Sequence, residues 1–177
     1  MKKNFFYLII LCFQLLYGYA NNPPNARTGA PGQSTCASGN CHNSYSLNSG
    51  SGQIQVIGPT TYNPREILTY IISINQNGME RWGFELCSLT DNLIQGGEFL
   101  ISDEINTQVS SSSEIIYIKQ TNSGTYNGQS NSAHWEFQWQ TPNELIGDIT
   151  FYFTGNAANA NGQKSGDYIY ASFITIE

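Results

Sequence analysis

The segment HWEFQWQ, residues 134–140, alternates strictly between polar and aromatic side chains. In an extended strand Trp135, Phe137 and Trp139 lie on one face, and the polar residues between them lie on the other. The segment DITFYF, which begins at Asp148, repeats this alternation. No stretch after the first twenty residues keeps the three- to four-residue apolar spacing of an amphipathic helix. The chain is therefore predicted to fold as β-strands with one face buried.

Short apolar runs recur along the chain and are separated by residues that interrupt strands. Asn63-Pro64 removes a backbone donor, and Asn77-Gly78 supplies a turn position with positive φ. We predict strands at Gln53–Ile57, Ile67–Ile74, Trp82–Leu89, Glu98–Ile101, Glu114–Gln120, His134–Gln140, Asp148–Thr154 and Tyr168–Ile176. About eight short strands with regular turns predict an all-β fold, an antiparallel β-sandwich.

Period-two alternation within these strands also predicts the residues of the core. The expected core members are Trp135, Phe137, Trp139, Ile149, Phe151, Leu68, Tyr70 and Ile72.

The first twenty residues have the pattern of a secretory signal peptide. Two lysines are followed by an apolar run from Phe5 to Leu16, and small residues precede a predicted cleavage near Ala20. We expect the product to be secreted, periplasmic or held at the cell surface. The expected organisation is a signal peptide at 1–20, an N-terminal loop segment at 21–52 and a β-sandwich domain at 53–177.

The net charge argues against two classes of partner. The full chain has 7 basic and 13 acidic residues, so losing Lys2 and Lys3 changes the formal charge from −6 to 5 − 13 = −8. No basic cluster remains, which argues against nucleic acid and anionic lipid surfaces as partners. No later segment approaches the roughly 18 apolar residues of a membrane span, so none is expected.

The loop TCASGNCH places Cys36, Cys41 and His42 in a C-x4-C-H motif that admits three interpretations. Export favours a Cys36–Cys41 disulfide, because the short flexible loop lets the two cysteines approach. The tighter spacing C-x-x-C-H attaches haem covalently, so a haem c with His42 as axial ligand is an alternative, with His134 or Met79 as the second ligand. A zinc ion bound by the same three residues and His134 is the third.

Other chemistry-bearing residues give weaker signals. Cys87 lies in an apolar run and is expected to be a buried free thiol. The Asn- and Gly-rich segment 155–167 is expected to form a turn held by side-chain to backbone bonds rather than a calcium site. No nucleophile motif is present, so we expect no enzyme. Exposed aromatic rings bind sugars or protein partners, and the candidates are Tyr62, Tyr126 and Tyr152.

Five segments in order resemble the bacterial choice-of-anchor V domain from about residue 27 to the C-terminus. They are RTGAPGQSTCASGNCH, NPREILTYIISI, RWGFELCSL, HWEFQWQTP and ITFYFTGNAANANGQKSGDYIY. The same order is similar to the eukaryotic Reeler domain, whose opening places a histidine six residues after a cysteine, as Cys36 and His42 do. The bacterial pattern differs in having C-x-x-C-H, and in having a histidine at about the position of Gln120.

The resemblance implies an immunoglobulin-like sandwich in a secreted or cell-surface protein used for adhesion and recognition, without catalytic activity. We therefore expect a non-catalytic domain that binds an extracellular glycan or protein and needs no cofactor. A c-type haem protein for electron transfer or sensing, attached through Cys36, Cys41 and His42, is the alternative. Of the interpretations of the motif, the disulfide is the one we predict, with His42 packed or hydrogen-bonded close to the sandwich.

Overall fold

The computed structural model describes residues 22–39 and 41–177; the predicted signal peptide lies outside the described residues. Over these described residues, nine strands and one short 3-10 turn, Ser123–Thr125, follow one another. The strands are β1 Gln53–Ile57, β2 Ile67–Asn75, β3 Arg81–Thr90, β4 Glu98–Leu100, β5 Thr107–Ser112, β6 Ile115–Gln120, β7 Ser132–Gln140, β8 Ile149–Ala158 and β9 Tyr168–Ile176.

The strands form two antiparallel sheets that pack face to face. The four-stranded sheet has the order β1-β2-β7-β4, and the five-stranded sheet has the order β5-β6-β3-β8-β9. The predicted antiparallel β-sandwich is confirmed, and the eight predicted strands are present with small shifts at their ends. Strand β5, TQVSSS, was not predicted because its polar sequence lacks alternation; it is an edge strand that pairs with β6.

The predicted core is confirmed between the two sheets. Seven of the eight expected residues are fully buried in one apolar cluster, and Leu68 packs against that cluster from its partly buried position. Aromatic rings cross the layer: Phe151 lies 5.1 Å from both Tyr70 and Trp139 in edge-on contacts. Buried indole groups are satisfied, since Trp139 Nε1 donates to the Gly96 carbonyl at 2.9 Å.

The segment before β1 forms a third layer, which we call the strap, residues 22–39 and 41–48. It crosses the outer face of the five-stranded sheet. At one side Asn25 accepts a hydrogen bond from Ser110 of β5. At the other side the Asn48 side chain donates to the carbonyl of Ala171 in β9 and accepts from its backbone N–H. Ala30 packs with residues of β3 and β6 in a small second core. Because the strap covers one face and the main core the other, β3 is buried on both sides.

Within the described residues, the structure contains no helix of the length and apolarity needed to cross a membrane.

Candidate functional site

The C-x4-C-H motif forms a closed loop in the strap. The backbone N–H of His42 donates to the Cys36 carbonyl at 3.0 Å, so the two ends of the motif meet. Both cysteines are free thiols in this structure. The Cys36–Cys41 disulfide therefore stays a prediction, and the closed loop is compatible with it.

The Cys36 thiol faces the sheet. Burial raises its pKa to about 12, and the nearby carboxylate of Glu85 adds to the shift. A thiol with this pKa is almost entirely protonated near neutral pH, and thiolate is the nucleophile in thiol–disulfide exchange. Cys36 is therefore a poor initiator of oxidation in the folded protein. Cys87 is confirmed as a buried free thiol, and burial raises its pKa to about 11.

His42 is fixed against the sandwich, as predicted. Its Nδ1 atom lies 2.6 Å from Oδ2 of Asp167, a buried carboxylate immediately before β9. The Asn156 amide of β8 lies 3.5 Å from both ring nitrogens. The partners of the His42 ring are thus Asp167 and Asn156, and neither is a nucleophile. The arrangement fixes the orientation of the imidazole ring.

Residues 159–167 of the Asn- and Gly-rich segment form the predicted turn, whereas residues 155–158 belong to β8, so the predicted start of the turn is wrong. Its side chains cap its own backbone: Asn159 Oδ1 accepts from the Asn161 N–H at 3.1 Å, and Asn161 Oδ1 accepts from the Gln163 N–H at 2.7 Å. Asp167, its only acid, accepts hydrogen bonds from Asn159 N–H and pairs with His42. The Asp167 carboxylate therefore links the turn to the strap.

His134 does not join the C-x4-C-H loop. It is an exposed residue of β7, where it pairs with Ser73 of β2 on the outer face of the four-stranded sheet. The loop lies on the outer face of the opposite sheet, so the whole core separates the two. The predicted grouping of His134 with Cys36, Cys41 and His42 is therefore wrong as a zinc site. For the same reason, the prediction that His42 and His134 are the two axial ligands of one haem is wrong.

Met79, the other candidate for a second axial haem ligand, packs against the core from the connection between β2 and β3. The donor set in the C-x4-C-H loop is two half-buried cysteines and one histidine. In the part of the chain that the structure describes, no group of three or more His, Cys, Asp or Glu side chains is arranged to hold a metal ion. Of the two candidates for a second axial haem ligand, the structure therefore excludes His134.

Two buried charges under the strap were missed by the sequence analysis. Lys119 of β6 and Glu85 of β3 are cross-strand partners, and Nζ lies 3.4 Å from Oε1. Thr154 of β8 is the partner of Glu85 on the other side. The signal in the sequence was a charge inside each of two apolar strand segments, FELCSL and YIKQ. The strap residues that bury these charges are distant in sequence, so only the folded chain reveals their partners.

The three tyrosines predicted to be exposed ligand contacts are buried or half-buried. Tyr62 is only 6% exposed, and its hydroxyl donates to the Gly147 carbonyl at 2.9 Å, so its predicted exposure is wrong. Tyr126 is half-buried and stacks on Trp135 at 5.6 Å. Tyr152 is half-buried and packs at the edge of the second core. Among the residues that the structure describes, the exposed aromatic rings are instead Tyr45 and Phe173, at 42% and 63% exposure.

One end of the sandwich presents large apolar side chains to solvent. We call it the apolar end, and its exposed residues are Ile57, Ile67, Leu93, Ile94, Leu145 and Ile146. The connections β3–β4 and β7–β8 run side by side there, because β3 pairs with β8 and β4 pairs with β7. The start of β2 is adjacent, since Ile67 is the partner of Gln140. Exposed apolar groups concentrated in this way mark interaction surfaces on soluble proteins.

Hydrogen bonds hold the apolar end in one shape. The Tyr62 hydroxyl donates to Gly147 and accepts from the Ile146 N–H at 3.3 Å, which ties the β1–β2 and β7–β8 connections together. The Thr141 side chain accepts from the Glu66 N–H at 2.8 Å. The C-terminal Glu177 carbonyl accepts from the Tyr62 N–H at 2.9 Å. The surface is therefore pre-organised, which lowers the entropy cost of binding a partner.

Acidic side chains surround the apolar end. They are Glu66, Asp91, Glu98, Glu144, Asp148 and Glu177. In residues 57–67, 91–98, 141–149 and 177, which are all described, Arg65 is the one basic residue. An apolar centre with an acidic rim is complementary to a partner that has apolar side chains flanked by lysine or arginine.

Comparisons with known proteins leave the function to be inferred from these residues. No family model matches the chain, and no curated protein shows significant similarity to it. Among solved structures, it is similar to a non-cellulosomal cohesin from the hyperthermophilic archaeon Archaeoglobus fulgidus, with 10% identity and a TM-score of 0.34. That match covers 67% of this chain and 90% of the cohesin.

Proposed function

We propose that this protein is an exported, Reeler-like binding domain that recognises a protein partner through its apolar end. The observation that carries the proposal is the concentration of six exposed apolar side chains on a hydrogen-bonded, acid-rimmed surface. Leaving such side chains in water is unfavourable, and a partner that covers them recovers the apolar burial free energy. The expected partner segment combines apolar side chains with lysine or arginine.

The domain acts by binding, without catalysis. The ring of His42 is engaged by Asp167 and Asn156 in holding the strap to the sandwich. Adhesion and recognition at an extracellular surface are consistent with this arrangement and with the predicted signal peptide.

A displayed peptide library selects the partner chemistry directly. Immobilised protein is panned, with counter-selection on the double variant Ile94→Lys, Leu145→Lys, which replaces apolar contacts by positive charge. We expect enriched peptides that pair Leu, Ile or Phe with Lys or Arg, and whose affinity falls as salt concentration rises. Acid-rich peptides, or peptides that bind the double variant equally well, would contradict the proposal.

Ile105→Lys is the matched control for Ile94→Lys. Ile105 is also exposed, but it lies in the β4–β5 connection near the opposite end of the sandwich. It should leave peptide affinity unchanged, while Ile94→Lys lowers it about tenfold or more.

Export has its own test. Mass spectrometry of material recovered outside the cytoplasm should give a mature protein that begins at Asn21. A species that retains Met1, or one lipidated at Cys12, would show that the predicted processing is wrong.

A further inference from the structure

The strap contains an open groove next to the C-x4-C-H loop. The groove has a volume of about 550 Å³ and is lined mainly by the uncharged polar residues Thr35, Ser38, Asn43, Ser44 and Ser46, together with Ala37, Leu47 and the ring of Tyr45. Hydroxyl and amide groups hydrogen-bond to neutral ligands, and the groove lacks the carboxylates that surround the apolar end. The lining therefore favours a neutral ligand rich in hydroxyl groups.

Tyr45 provides a flat surface at this groove. Its ring stacks on Tyr168 with centroids 4.2 Å apart and planes inclined by 6°. Tyr168 in turn packs against the main core from the start of β9. Tyr45 nevertheless keeps 42% of its surface exposed, so part of its side chain is accessible to a ligand.

The strap holds Tyr45 between two anchor points. Ser44 Oγ accepts from the Gly166 N–H at 2.9 Å, just before β9. Asn48 bonds to β9 three times, through its backbone N–H to Ile169 and through its side chain to both backbone groups of Ala171. The ring is thus fixed before a ligand arrives, so little side-chain entropy remains to be lost on binding.

We propose that this groove is a binding site for a neutral oligosaccharide, with one sugar ring stacked on Tyr45. The apolar C–H face of a pyranose packs on the aromatic ring, and the sugar hydroxyls bond to the hydroxyl and amide groups of the groove. The site lies on the strap side of the sandwich near the start of β9, whereas the apolar end lies where β9 finishes. The two sites are therefore separate, and this inference does not depend on the proposed protein partner.

The test is calorimetric titration of the mature protein with a panel of neutral hexasaccharides: cello-, xylo-, manno-, laminari- and chito-oligosaccharides. We expect at least one to bind, and Tyr45→Ala to weaken its affinity about tenfold, the loss of one stacked contact. Tyr45→Trp should keep the affinity because it keeps a flat ring. Phe173→Ala removes the other exposed aromatic ring from the outer face of β9 and should change nothing.

Failure to bind any member of the panel at millimolar concentration would overturn the proposal, as would equal binding by Tyr45→Ala. Displacement of the bound sugar by the selected basic peptides would also overturn it, because it would merge the two sites. Ile94→Lys, which is designed to remove peptide binding, should leave saccharide affinity unchanged. The failure of one proposal is therefore distinguishable from the failure of the other.

Discussion

Glu85 and Lys119 form a buried ion pair that fastens the strap to the five-stranded sheet. The two side chains are 1% and 0% exposed, and their charged atoms lie 3.4 Å apart. Each also forms hydrogen bonds to the strap. Glu85 Oε2 accepts from the backbone N–H of Arg27 at 2.6 Å. Lys119 Nζ donates to the Pro23 carbonyl at 2.7 Å and to the Asn25 side chain. The charges therefore stabilise the third layer as well as each other.

Removing one partner of this pair should be strongly destabilising, because it leaves the other charge buried without compensation. We expect Lys119→Met to lower the free energy of unfolding by about 3–5 kcal/mol, as for other broken buried pairs. The double variant Glu85→Leu, Lys119→Met should recover much of this loss. Urea unfolding measures the values, with exposed Glu104→Gln as the control expected to change stability by at most about 0.5 kcal/mol. A Lys119→Met variant as stable as the parent would show that the ion pair does not stabilise the attachment of the strap to the sheet.

The same variant should change the dependence of stability on pH. Burial raises the pKa of Glu85 above its ordinary value of 4.5, and the charge of Lys119 partly opposes the shift. Lys119→Met removes that opposition, so the pKa of Glu85 should rise further. A carboxyl whose folded pKa is raised contributes stability that is present below pH 4.5 and is lost as pH rises through the folded value.

Lys119→Met should therefore lose more stability than the parent between pH 4.5 and neutrality. The double variant, which lacks the carboxyl, should not show the additional loss. Unfolding free energies measured across this range check the prediction. Parallel curves for the parent and Lys119→Met would contradict it.

Trp139→Ala tests the period-two assignment of the core. Trp139 is fully buried, contacts Tyr62, Tyr70 and Phe151, and bonds to Gly96. We expect a loss of about 3–5 kcal/mol from the cavity and the unpaired carbonyl. His134→Ala on the exposed face of the same strand should cost at most about 0.5 kcal/mol. Similar thermal midpoints for both variants would contradict the assignment.

The C-x4-C-H loop makes a prediction about covalent state. Protein exported by a host with haem-attachment machinery should show a mass lower by two hydrogens, from the Cys36–Cys41 disulfide, and no Soret band. A covalent mass gain of one haem that His42→Ala abolishes would establish the opposite. After reduction, alkylation should be slow at Cys36 and Cys87, because burial raises the pKa of each thiol to about 12 and about 11.

The alternation of apolar and polar residues determined the strands and the main core. That pattern is local, because successive side chains of a strand point to opposite faces whatever the strand packs against. It located HWEFQWQ and DITFYF on the core and placed eight of the nine strands. It failed for β5, whose polar edge sequence TQVSSS carries no such pattern.

Only the tertiary structure decided what lies over each outer face. His42 meets Asp167 across 125 residues, and Arg27 meets Glu85 across 58, contacts that local periodicity does not encode. The strap covers one sheet and leaves His134 exposed on the other, which separates residues that share metal-binding chemistry. Tyrosine is a residue type that often contacts ligands, but Tyr62 is buried where three segments of the chain meet. A strand pattern specifies that a side chain points outward; whether that side meets water or a third layer depends on where distant segments pack.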